Sequence, residues 1–221
     1  NKLTLLAVPA ALKTFTISED VDDISWYAFP FGNSLEELII QNGAAELKPY
    51  FYDRFYNLKK FVIDEKNLKH TTIDGVLYSK DQKTIECYPS GRETAIYEIP
   101  KGVIAIGDGC FNTSLNLQKI IIPEGIETIG SSAFFDCRYI NKITLPSSVK
   151  TIGSAAFQHI KFKSFTCLAV EPPILQDGNV FFYHNDLPIE KMFVPKESLE
   201  KYKNDPNWNS LAEHILAIED E

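Results

Sequence analysis

The chain repeats a phrase. Leu117-Gln-Lys-Ile120-Ile-Ile122-Pro123-Glu-Gly-Ile126-Glu-Thr-Ile129-Gly130-Ser-Ser-Ala133-Phe134 returns 23 residues later as Ile140-Asn-Lys-Ile143-Thr-Leu145-Pro146-Ser-Ser-Val149-Lys-Thr-Ile152-Gly153-Ser-Ala-Ala156-Phe157. A fixed period of this length decides the architecture before local propensity does. One such unit cannot bury its own apolar face, whereas stacked neighbours share a continuous core. The expected fold is therefore a repeat solenoid, β-rich with short helical turns.

Each unit carries apolar residues at positions 1, 4, 6, 10 and 13, Pro at 7, Gly at 14 and Ala-Phe at 17 and 18. Earlier units start at Leu12, Leu35 and Leu58, the second of them degenerate, with Phe51 and Tyr52 standing where Ala-Phe belongs. Tyr97, Ile99, Pro100, Val103, Ile106, Gly107, Cys110 and Phe111 form the unit before the two clean copies, and Phe162 and Ile189 open later ones. Leu3, Leu6, Val8 and Pro9 match positions 1, 4, 6 and 7 of a truncated first coil.

Positions 1, 4 and 6 straddle a short strand, so 4 and 6 point inward while 3 and 5 point out. Pro ends the strand because it cannot donate to a ladder. Gly at 14 is expected to supply a backbone angle that other residues resist. Ala at 17 suits a close approach of coils, and Phe at 18 should stack into an aromatic spine through Phe134 and Phe157.

The solenoid is expected over residues 1–195, with an inserted β-hairpin near 67–93 whose apolar residues alternate on either side of a polar Ser79-to-Lys83 turn. Residues 196–221 read as a C-terminal helical cap, with Leu199 and Tyr202 at helical spacing, Pro206 as a stop, and Trp208, Leu211 and Ile215 covering the last coil.

At this point the residues resemble a known family, the BspA-type leucine-rich repeat. The phrase Leu-x-x-Ile-x-Ile-Pro-x-x-Ile-x-x-Ile-Gly-x-x-Ala-Phe carries the resemblance, together with Ile73-Asp-Gly-Val-Leu-Tyr-Ser-Lys-Asp and the closing Phe193-Val-Pro-Lys-Glu-Ser-Leu-Glu-Lys-Tyr-Lys. It covers about Leu12 to Trp208. The resemblance implies a right-handed leucine-rich-repeat β/α superhelix, an extracytoplasmic, cell-surface or secreted bacterial protein, adhesion to host proteins or other cells, and no catalytic residues.

Charge and motifs narrow the function further. Twenty-two basic against 30 acidic residues give a net charge of −8, without the basic footprint a nucleic acid needs. Leu3 to Leu12 is half the roughly 20 residues required to span a bilayer. With Lys2 alone ahead of it, that stretch makes a poor secretory leader. No Cys-x-x-Cys, His-Glu-x-x-His, Gly-x-Ser-x-Gly or phosphate-binding glycine loop is present, so no catalytic, cofactor or metal residue is nominated and the chain is read as a non-enzyme. The four cysteines fall in slots of small buried hydrophobes and are expected to be unpaired.

Binding surfaces are better founded. Eight strands about 4.8 Å apart would present a ribbon of roughly 35 to 40 Å, suited to a protein partner. Its outward residues include Lys60, Val62, Lys119, Ile121, Lys142, Thr144, Lys191 and Phe193, the candidate ligand-binding set. A second candidate is the aromatic cluster Tyr50, Tyr52, Phe55 and Tyr56, which would bind carbohydrate if exposed and would replace the missing Ala-Phe core if buried. An inert structural spacer is the third reading.

Overall fold

The computed structural model describes residues 3–25, 27–45, 47–177, 180–181 and 189–219. The chain winds into a solenoid of about nine turns, mostly strand with little helix. Along its front run nine short parallel strands: Thr14–Ile17, Glu37–Ile40, Lys60–Ile63, Ile96–Glu98, Lys119–Ile121, Lys142–Leu145, Ser164–Cys167, Met192–Val194 and Ile215–Ala217. Partners are offset by the repeat, as in Thr14 with Glu37, Ile96 with Lys119 and Met192 with Ile215. The alternation expected from the sequence holds. Leu38, Ile40, Phe165, Cys167, Met192 and Val194 are buried, and the residues between them are not.

Two-residue strands form a second sheet on the back, where Ala105–Ile106, Thr128–Ile129, Thr151–Ile152 and Ile174–Leu175 stack in parallel register. Leu3–Leu5 pairs with Val21–Ile24 and so fills a back position; the expectation that Leu3 and Leu6 begin a front strand does not hold. Between the sheets run the spine rings. Phe111, Phe134, Phe157 and Phe181 stack at centroid separations of 5.0, 5.4 and 5.5 Å. Each ring is buried among apolar side chains, and the interplanar angles of 1°, 7° and 12° follow from one repeat placing each ring over the last.

The glycine at position 14 has a different cause from the one expected. Gly107, Gly130 and Gly153 do not adopt a positive φ. A Cβ on Gly130 would instead lie 2.6 Å from the backbone of Gly107 and Asp108, and one on Gly153 would lie 2.3 Å from the Ser131 nitrogen. Coil-to-coil approach excludes any side chain there. The left-handed conformation falls two residues later, on Gly109, Ser132 and Ala155, and again on Thr113, Asp136 and His159.

The insertion is a three-stranded meander. Val76–Ser79 pairs antiparallel with Thr84–Cys87 around the expected turn, and also with His70–Ile73 around a second turn at Asp74 and Gly75, both at positive φ. Thr84–Cys87 then joins the back sheet beside Ala105–Ile106. Its central strand, Val76–Ser79, is buried on both faces and divides the interior. Leu77 and Cys87 pack into the N-terminal core with Phe55 and Phe61, while Val76, Tyr78, Ile85 and Tyr88 pack into the C-terminal core with Phe111.

At the other end, Leu199–Asn204 is the α-helix of the cap, flanked by 3-10 turns at Lys196–Ser198 and Asn209–His214. The Tyr202 hydroxyl donates to the Ala169 carbonyl at 2.8 Å, and the Trp208 indole donates to that of Pro173 at 2.8 Å, so both fully buried rings close the core without an orphaned donor. Ile215, expected among the cap's helical residues, instead begins the ninth front strand, paired with Met192.

All four cysteines are buried free thiols. Burial pushes Cys87 and Cys110 well above the usual thiol value of 9.0, and Cys137 up to about 12. Tyr78, hydrogen-bonded at 2.6 Å to the Tyr97 hydroxyl, is likewise raised by burial from 10.0 to about 12.

Three predictions follow from this packing. Gly130→Ala should cost about 1–3 kcal/mol in urea denaturation through forced displacement of the preceding coil, whereas Ser132→Gly, which relieves a left-handed residue, should stay within about 1 kcal/mol of the parent. Equal effects would contradict the close-approach account. The buried thiols and Tyr78 bind their protons more tightly folded than unfolded, so their contribution to stability is complete below pH 9 and is lost as pH rises toward about 12. The urea midpoint should fall across that window. A thiol reagent should count four cysteines in denatured protein and react slowly with the native fold.

Candidate binding surface

The front strands display the sequence-derived row. Lys60, Lys119, Lys142, Thr144 and Lys191 are exposed, Val62 and Ile121 are 37% and 38% exposed, and Phe193 is half-buried. Strand pairing sets Ile39 beside Val62, and Thr144 beside Thr166, Phe193 and Leu216 in one line. Leu216, 41% exposed, extends this row beyond Phe193. Its sequence signal was the offset of 23 from Phe193 (216 − 193).

The row is not one continuous ribbon. Hydrogen bonding divides it into three blocks, the strands from Thr14 to Ile63, from Ile96 to Ile121, and from Lys142 to Ala217. The first break has a visible cause. The meander turn reaches the front, where the Phe61 amide donates to the Gly75 carbonyl at 2.8 Å, in place of a bond to the next coil. Arg92 fastens that turn by donating to the Asp74 carbonyl and carboxylate at 2.5 and 2.6 Å. The second break, between Lys119–Ile121 and Lys142–Leu145, opens a cleft of about 650 Å³.

Electrostatics differ between the blocks. In the first, Lys60 pairs with Glu37 at 2.7 Å, and Lys13 and Lys59 converge on Glu36, whose carboxyl they hold below its usual value. These are exposed pairs worth little stability each, but they neutralise the surface. In the other two, Lys119, Lys142 and Lys191 make no ion pair among the described residues.

The aromatic cluster is core. Tyr52 is 5% and Phe55 1% exposed, and Phe55 packs edge-on against Phe29 and Phe61 at 5.1 and 6.1 Å. Tyr56 alone is open, at 40%; the Tyr50 side chain lies outside the described residues. The 3-10 turn Pro49–Arg54 sets Tyr52 inward, with Phe55 directly after it, to fill the space left by the missing Ala-Phe, so these two rings are not available to an exposed sugar-binding platform. No group of three or more His, Cys, Asp or Glu able to hold a metal occurs among the described residues, and no described helix is long and apolar enough to cross a membrane.

Among solved structures, a leucine-rich repeat protein from Eubacterium ventriosum is similar at 20% identity and a TM-score of 0.72, over 94% of this chain and 54% of that one. The pneumococcal vaccine antigen PcpA is 18% identical over 99% of this chain and 68% of its own, with a TM-score of 0.47. A leucine rich cell surface protein from Faecalibacterium prausnitzii is 16% identical over 74% and 53%, with a TM-score of 0.44. The chain thus spans about half the length of the Eubacterium protein whose fold it shares. No curated protein matches it. The model of the BspA type leucine rich repeat region matches residues 9–90 and 84–205 in six copies. With the repeat phrase, the stacked coils and this match in agreement, the chain belongs to the BspA-type leucine-rich repeat family.

Proposed function

We propose that the protein is a non-catalytic scaffold that binds another protein through its front row, outside the cytoplasm at a bacterial cell surface. The observation that carries this reading is the combination of Lys119, Lys142 and Lys191, without an ion pair among the described residues, with partly exposed Ile121, Phe193 and Leu216 along the front of the solenoid. Apolar residues ringed by charge are what a protein interface uses, the apolar part for affinity and the charge for orientation and encounter rate. The family, a repeat scaffold, supports the non-catalytic part of the reading. Adhesion to host or other cells is the biological role such a surface would serve. Burial of Tyr52 and Phe55 favours protein over carbohydrate.

The test is a binding screen of immobilised extracellular proteins, followed by substitutions that leave the core untouched. Val62→Asp, Ile121→Asp and Leu216→Asp probe the three front blocks, and Thr128→Asp on the back sheet is the control. At least one front substitution should weaken a captured partner about tenfold or more, as hot-spot residues do, with the control unchanged. A partner lost only with Thr128→Asp, or no partner at all, would count against the front row.

A further inference from the structure

Beside the front row, where the chain enters its front strands, the coils from Leu12 to Leu117 form a polar pocket of about 520 Å³. Ser34, Asn57, Glu93 and Asn116, each directly ahead of position 1 of its unit, line it together with Lys13, Glu36 and Lys59 from position 2. The return from the meander supplies one wall. There the Gly91 amide donates to the Leu58 carbonyl at 2.9 Å, and a Cβ on Gly91 would lie 2.3 Å from the Asn57 carbonyl carbon. No side chain fits at that point, and the wall is bare backbone.

Polar atoms around the pocket are held in place yet remain open. Asn57 donates its Nδ2 to the Asn33 carbonyl at 2.7 Å, and Asn116 donates its own to the Arg92 carbonyl at 2.9 Å. Both amide groups are thereby oriented, and each Oδ1 is left without a hydrogen bond among the described residues. The Ser34 hydroxyl and the Glu93 carboxylate also make no hydrogen bond or close ion pair among the described residues. Glu36 pairs with Lys13 and, at 3.0 Å, with Lys59. That carboxylate and, more weakly, the one on Glu93 hold the Lys59 ammonium above its ordinary value.

This lining selects a ligand class. Two lysines against two glutamates leave no net charge, so an anion would meet Glu36 and Glu93 and a cation would meet Lys13 and Lys59. The unsatisfied groups are two amide oxygens, a carboxylate and a hydroxyl, beside ammonium groups with N–H to spare. Hydroxyls, which both donate and accept, satisfy such a mixture. Tyr56, 40% exposed, adds a flat apolar surface at the edge. Small-molecule pockets of this size are mostly apolar with a few polar groups; here the proportions are reversed, and the matching ligand carries many hydroxyls around one apolar face.

We propose that this pocket binds a neutral saccharide, with one sugar ring laid against Tyr56 and its hydroxyls shared among Ser34, Asn57, Glu93 and Asn116. The site is separate from the candidate front-row residues and does not rest on the reading of that row as a protein surface.

Maltotriose, cellotriose, mannotriose and N-acetylated chitotriose are the probes, each titrated at millimolar concentration into the isotopically labelled full chain and followed by amide chemical shifts. At least one should shift Ser34, Glu36, Tyr56 to Lys59, Gly91 to Glu93 and Asn116 together. Tyr56→Ala should weaken that saccharide about tenfold. Glu93→Ala, at an exposed side chain without a bond to lose, should weaken it as well. Tyr139→Ala, which removes a 60% exposed ring at the same place in a later coil, should change nothing. Acetate and methylammonium at the same concentration should leave the pocket amides unmoved. Shifts from either ion as large as those from the saccharides would overturn the neutral ligand. Absence of shifts there with all four saccharides, or affinity unchanged in both Tyr56→Ala and Glu93→Ala, would overturn the site, and the front-row reading would still be decided by its own screen.

Discussion

Coils of this protein touch through their backbones, and the column of Gly107, Gly130 and Gly153 marks where. A Cβ at any of them would meet main-chain atoms of the coil before it at 3.1, 2.6 and 2.3 Å. That approach fixes the relative height of successive turns, and the remaining features fall into line with it. Back strands pair with no slip from Ala105 to Thr128 to Thr151 to Ile174, and small residues follow at Cys110, Ala133 and Ala156, all at or below 1% exposure. The phenylalanines after them then stack at a constant spacing. Their dispersion contacts are individually small and collectively large, and the backbone contact sets the distance at which they are made.

Where the glycine column is missing, other devices join the coils. The first two units carry Ser25 and Lys48 at position 14, and asparagine side chains take over part of the bonding between turns. Asn33 donates to the Arg54 carbonyl at 2.9 Å, Asn57 to that of Asn33 at 2.7 Å and Asn67 to that of Gln41 at 3.2 Å. The meander separates this N-terminal part from the regular one. Because Leu77 faces one core while Val76 and Tyr78 face the other, the two halves share a wall rather than a continuous interior.

Sequence made the inward and outward faces of the front strands legible because a strand has period two and the repeat displays it many times over. The spine rings and the polar turn of the insertion were legible for similar reasons. Two-residue back strands are too short for any periodicity to reveal them. The turn at Asp74 and Gly75 was signalled by its Asp-Gly pair but stood hidden beside the more polar turn that follows. Ile215 lies 23 residues after Met192 (215 − 192), yet the helix between them and the 27-residue step from Phe165 to Met192 (192 − 165) obscured the register. The candidate row itself could be read from sequence, and its division into blocks could not. Whether neighbouring strands pair depends on backbone spacing, which the inserted turn alters at Phe61.

Folding uses some positions of the repeat unit and leaves others free. Positions 4, 6, 13, 14, 17 and 18 are consumed by the core and by contact between coils, so a change there alters the solenoid. Positions 3 and 5 touch neither and are free to carry chemistry. Their charges are not distributed evenly along the axis: Lys60 is neutralised by Glu37, whereas Lys119, Lys142 and Lys191 make no ion pair among the described residues. The first block is therefore nearly neutral, and the face beyond the meander is basic. Since the meander also interrupts the front sheet at Phe61, the same insertion that divides the core separates the neutral part of the face from the basic one.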